Sequence, residues 1–68
     1  MTLPENARVW VNDPIQTMKT NKRLTLGIVL GYREDLDRDN CIHYYVAYED
    51  GPMVWVADYQ ITGYLHTA

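Results

Sequence analysis

The amino-acid sequence predicts an all-β domain, a small and strongly bent barrel of five strands with a one-turn helix before the last strand. Two observations carry this expectation. Apolar residues recur with period two in short runs, and turn residues interrupt them about every ten positions. In addition, Gly27 and Gly31 sit inside the second run, where glycines mark either a close backbone approach or a strong bend of the kind that carries a barrel strand from one side of the fold to the other.

Arg8-Val9-Trp10-Val11-Asn12 alternates, with Val9 and Val11 on one face and Arg8, Trp10 and Asn12 on the other. Asn12-Asp13-Pro14 ends this strand, because both polar side chains bond local amides and proline cannot extend a ladder. Residues 13–23 read as a polar, threonine-rich loop anchored by Ile15 and Met18. Residues 24–33 form the second strand. Leu24, Leu26, Ile28 and Leu30 share one face of it, and Thr25, Gly27, Val29 and Gly31 the other. Ile28 is expected to enclose one interior together with Val9, Val46, Val56 and Ile61.

Residues 34–40 are too polar to bury and read as an exposed hairpin tip. The third strand, 41–49, turns Ile42, Tyr44, Val46 and Tyr48 inward, with the two tyrosine hydroxyls at the barrel rims. Glu49-Asp50-Gly51-Pro52 is a tight turn in which Gly51 supplies a positive φ. The fourth strand covers 53–57, a single helical turn 58–60, and a last strand 61–65. That last strand is expected to pair back onto residues 8–12 and protect the edges.

The chain, 68 residues and 7.9 kDa, has room for one domain over 1–68 with its core in 8–65. At 47% hydrophobic and 22% charged, its composition is that of a folded chain with a thin core, which leaves self-association open. Cys41 is the only cysteine, so an intramolecular disulfide and a thiolate metal cluster are excluded, and a reducing, cytoplasmic compartment is expected. No uncharged apolar run approaches the roughly 18 residues of a membrane helix, and the N-terminus lacks the basic and apolar regions of a secretory signal. The net charge of -3 is unevenly placed: residues 1–33 carry +3 and residues 34–68 carry -6. Such polarity can steer a partner or orient a second subunit.

Three segments then carry a family likeness: Gly27-Ile28-Val29-Leu30-Gly31-Tyr32, Tyr45-Val46-Ala47-Tyr48-Glu49-Asp50-Gly51, and Val54-Trp55-Val56-Ala57-Asp58-Tyr59-Gln60-Ile61. Together they resemble the SH3-like barrel superfamily in its Tudor and agenet form, over roughly residues 8–65. The resemblance implies a five-stranded barrel. It also implies aromatic side chains that read methylated lysine or arginine, at about Tyr32, Tyr45 or Tyr48, and Trp55. Trimethoprim-resistant dihydrofolate reductases share this barrel type. Here Met53-Val54-Trp55-Val56 lacks the glutamine and tyrosine of their Val-Gln-Ile-Tyr motif, which argues against that activity.

Trp10, Tyr32, Tyr45 and Trp55, with the acidic Glu34, Asp35 and Asp37, are the expected protein-binding surface, because rigid aromatics dominate binding hot spots. Where Tyr32, Tyr45 and Trp55 converge beside Glu49 or Asp58, they would suit a methylated ammonium. The expected partner is another protein of unspecified identity, or a second copy joined through Trp10 or Trp55. The competing candidate is nucleic acid held by Lys19, Lys22 and Arg23, with Trp10 or Tyr32 stacking on a base. Five basic residues over two loops make a small footprint for it, which the acidic second half opposes.

Catalysis is not expected. Cys41 and His43 share a strand face, but no Gly-rich elbow or helix N-terminus near them supplies an oxyanion site. The acidic run 34–39 lacks the central glycine and closing glutamate of a calcium loop, and no set of ligands has zinc spacing. No metal or cofactor is therefore expected. The function expected is that of a small accessory, regulatory or inhibitory factor.

Overall fold

A computed structural model describes residues 2–35 and 41–65, with only the backbone of Asp35. Five antiparallel strands form one sheet in the order β4-β3-β2-β1-β5: β1 Arg8–Val11, β2 Thr25–Asp35, β3 Cys41–Tyr48, β4 Met53–Ala57 and β5 Ile61–Leu65. A helix, α1, spans Pro14–Thr20, and one 3-10 turn, Asp58–Gln60, joins β4 to β5. β4 and β5 end the sheet and do not pair with each other, so the sheet is open among the described residues. The last strand does return to β1, as expected, with Arg8 opposite Leu65 and Trp10 opposite Gly63. Among the described residues, however, β4 and β5 each pair on one side alone, so the outer edges are not closed as the sequence leads one to expect.

The segment 13–23 is not a loop throughout. Asp13 caps α1: its Oδ1 accepts from the amides of Ile15 at 3.0 Å and Gln16 at 3.4 Å, and Pro14 occupies the first turn. Asn21 closes the helix at φ 60°, its amide donating to the Thr17 carbonyl at 2.8 Å. Ile15 and Met18 are exposed rather than anchoring. The buried side chain is Gln16, whose Nε2 donates to the Asp50 carboxylate at 3.1 and 3.3 Å.

The interior face of β2 is also the reverse of the expected one. Val29 is fully buried and opposite Val46, whereas Ile28 is 42% exposed and opposite Ala47. The physical reason is pairing: Gly27 faces inward opposite Tyr48 and packs closely on β3, which puts Val29 inward and Ile28 outward, and beyond them the ladder shifts. Val29 pairs with Val46 but Gly31 pairs with Tyr45, so Leu30 is an extra, bulged residue. Thr25, Gly27 and Val29 face inward before the bulge, while Tyr32 faces Tyr44 after it. The ladder is thus irregular at Leu30, next to Gly31. Gly27 serves the close approach expected of a strand glycine: the backbone and side chains of 46–48 lie where its Cβ would be.

Val9, Val11, Val29, Val46 and Val56 are fully buried, joined by Ala7, Tyr44 and Tyr48. Ile42 and Val54 pack against this cluster, as does Ile61, in line with the inward faces expected of the last three strands. Both inward tyrosines hold strand termini. Tyr44 Oη accepts from the Leu3 amide at 3.0 Å, and the Tyr48 hydroxyl donates to Asp13 Oδ2 at 2.6 Å. The turn at 49–52 forms as expected, with Gly51 at φ 127°. Glu34 and the Asp35 backbone extend β2 opposite Ile42 and Cys41 instead of belonging to the tip. The remainder of that tip, 36–40, lies outside the described residues.

Candidate protein-binding surface

Because strand side chains alternate, the inward valines dictate what faces outward. Strand register aligns Leu65, Arg8, Ile28, Ala47 and Met53 side by side across all five strands. Trp10 stands next to Leu26 in the adjoining row, and Tyr45 next to Trp55 on the other side. Trp10, Ile28, Leu30, Met53, Trp55 and Leu65 are all exposed, although each is a large apolar residue. One sheet face thus presents an apolar surface that no other element of the described chain covers.

Tyr45 and Trp55 are direct cross-strand partners with ring centroids 5.0 Å apart and planes inclined by 37°. Arg33, reaching from β2, places its guanidinium carbon 4.6 Å from the Trp55 ring centroid. Stacking fixes the planar cation and leaves its N–H edge for a second group.

The residues singled out from sequence divide between the two sides. Trp10, Tyr45 and Trp55 share the outward face, Trp10 on its β1 half and the other two on its β4 half. Tyr32 does not join them. The bulge at Leu30 turns it to the opposite side of the sheet, 6.4 Å from the Tyr44 ring. Tyr48 is buried against Asp13. The aromatic cage implied by the family resemblance is therefore not assembled from Tyr32, Tyr45 or Tyr48, and Trp55, and the cation on Trp55 is the chain's own Arg33. Glu34 follows Tyr32 to the opposite side, the Asp35 backbone pairs with Cys41, and Asp37 lies outside the described residues.

Lys22 and Arg23 flank Trp10. Lys22 borders a cleft with Leu24, Leu26, Glu49 and Asp50, and Arg23 borders an open apolar hollow with Leu24, Thr62 and Gly63. Lys19 lies in the last turn of α1. Cys41 Sγ is 4.0 Å from His43 Nδ1, a contact between neighbours on one strand face. Among the described residues, no three histidine, cysteine, aspartate or glutamate side chains gather as metal ligands would. No described helix is long and apolar enough to cross a membrane.

Burial, the hydrogen bond to Asp13 and the nearby carboxylates of Asp13 and Asp50 push the Tyr48 hydroxyl pKa well above its ordinary value. This group is structural: it ties the N-cap of α1 to the end of β3. Sequence reading missed Arg33, Ile28, Leu30 and Met53 as surface residues. Met53 was legible, since it alternates in step with Trp55. Ile28 depends on the pairing of β2 with its neighbours, and Leu30 and Arg33 on the bulge, which has no sequence signature here beyond the glycine after Leu30.

No family model, characterised protein or solved structure matches this chain.

Proposed function

We propose that this chain is a non-enzymatic protein-binding module on an SH3-like barrel, acting in the cytoplasm as a small accessory, regulatory or inhibitory factor. The observation that carries the reading is the uncovered outward face with Trp10, Ile28, Met53 and Trp55 exposed on it. Contiguous apolar surface rimmed by charge is characteristic of interaction sites, and tryptophan, tyrosine and arginine are the residues that dominate them. The barrel part of the proposal is supported by β2, which pairs with β1 through its first half and β3 through its second. The single 3-10 turn before β5 supports it too.

Nucleic acid is the second reading, because Lys22 and Arg23 both flank Trp10. Glu49 and Asp50 line the same cleft as Lys22 and would repel a phosphate chain there. The test is affinity capture from a lysate of the source organism, with the wild-type chain and a Trp10→Thr, Trp55→Thr double variant compared. The expected result is a protein retained by the wild type and released by the folded double variant. A retained protein indifferent to both changes, or retention abolished by nuclease, contradicts the proposal.

A further inference from the structure

The outward face ends at β4, and its free edge differs from that of β5. The ladder of β5 is shifted opposite Trp10 and Val11, and the Thr62 hydroxyl folds back to the Trp10 carbonyl at 3.4 Å. β4 reads Met-Val-Trp-Val-Ala, without a charge, a proline or a bulge among its pairs with β3. Those are the devices by which edge strands usually avoid added partners.

Which backbone groups are open follows from alternation. The Tyr48 amide donates to the Pro52 carbonyl at 2.9 Å, so that pair is hydrogen-bonded. Counting along the register, Val54 and Val56 are the next hydrogen-bonded residues, opposite Val46 and Tyr44. The N–H and C=O groups of Met53, Trp55 and Ala57 therefore point away from β3. The Ala57 amide is occupied by Gln60 Oε1 at 2.9 Å, which stops the edge at that end. The open groups centre on Trp55, whose side chain carries Arg33 on the outward face.

Charge selects the occupant. The charged strand side chains described on the outward face are Arg8 and Arg33, both basic, although the chain as a whole is acidic. Glu34 lies on the other side of the sheet; Glu49, whose amide donates to the Leu26 carbonyl at 3.0 Å, faces the Trp10 end of the outward face, two rows along from Trp55. We infer that β4 accepts an extended acidic segment of a partner protein as a sixth strand. A carboxylate on the residue opposite Trp55 would engage the Arg33 guanidinium above the Trp55 ring. This inference rests on the protein-binding reading and names the partner's chemistry. An open strand edge favours a peptide over nucleic acid, which has no backbone to pair with it. A second copy joined through β4 alone would bury five residues a side, well short of the roughly 20–30 of a stable interface.

The test is fluorescence anisotropy with labelled ten-residue peptides alternating valine with glutamate, glutamine or lysine, and with a ten-nucleotide oligothymidylate. The glutamate peptide is expected to bind at least tenfold more tightly than the glutamine peptide, and the lysine peptide least. Arg33→Gln, at an exposed position, should reduce the glutamate preference to about twofold without moving the unfolding midpoint. Backbone N-methylation at the glutamates should abolish binding, since those amides face the edge, whereas N-methylation at the valines should be tolerated. Equal binding of the glutamate and lysine peptides, indifference to which amides are methylated, preference for the oligonucleotide, or no peptide binding at all would overturn the inference. Those results would leave the protein-binding reading standing if capture of a protein still required Trp10 and Trp55.

Discussion

The two faces of the sheet are built from different side chains. The enclosed face is filled by five valines of 2% exposure or less, whereas the outward face carries Trp10, Met53 and Trp55 at 43–57%. Both tryptophans thus lie where packing needs them least, while Tyr44 and Tyr48 complete the enclosed face. Small β-branched residues suit a thin interior, because they fill it in a single rotamer and favour strand geometry. The lesson is a division by alternation: successive residues of one strand fill the interior and face outward in turn. Val29 and Ile28 are the sharpest instance, adjacent in sequence yet fully buried and 42% exposed.

The strongest way to break this contrast is at Gly27. An added side chain there collides with Val46 Cγ1 and meets the Ala47 carbonyl at 3.1 Å and Tyr48 Cδ1 at 3.2 Å. Gly27→Val is expected to cost about 3 kcal/mol or more, read as loss of the cooperative urea transition. Val46→Ala should follow at about 2 kcal/mol, with an unchanged denaturant slope, from a cavity in the centre of the valine cluster.

The same substitution at neighbouring positions sharpens the comparison further. Val29→Thr buries a hydroxyl among apolar neighbours and should lower stability by about 1–2 kcal/mol. Ile28→Thr on the outward face should change it by less than about 1 kcal/mol. Equal losses from both would contradict the alternation. At neutral pH a loss of about 1 kcal/mol is expected for Tyr48→Phe, which removes the 2.6 Å bond to Asp13. Its pH dependence has a definite sign. The folded pKa of Tyr48 is raised, so its contribution is complete below the ordinary tyrosine value of about 10 and declines as pH rises above it. Thermal melts between neutral pH and pH above about 10 should therefore show a shallower decline for Tyr48→Phe than for the wild type.

Much of this was legible in the sequence, and the failures share a cause. β3, β4 and β5 announce themselves through alternation and the Asp50-Gly51 turn, so Ile42, Tyr44, Val46 and Tyr48 were placed inward correctly. Helix α1 carried its own signals, Asp13 as cap and Pro14 in the first turn, yet seven residues with an exposed Ile15 and Met18 offer no apolar stripe. β2 misled because leucines and isoleucine form its more apolar set, and hydrophobicity alone would turn them inward. What turns them outward is pairing: Gly27 permits close approach to β3, and the Leu30 bulge reverses the faces afterwards. Neither effect belongs to β2 alone. The same reversal separated Tyr32 from Trp55, so the candidate surface kept Trp10, Tyr45 and Trp55 while losing Tyr32 and Glu34.

The most direct measurement pairs two readouts, unfolding midpoint and capture of a protein partner, on two variants. The Trp10→Thr, Trp55→Thr chain should keep a dispersed amide spectrum and lose its partner. Val46→Ala should melt at a markedly lower temperature and, below that temperature, retain the partner. If the tryptophan variant keeps its partner, or Val46→Ala loses it while still folded, recognition does not reside on the outward face.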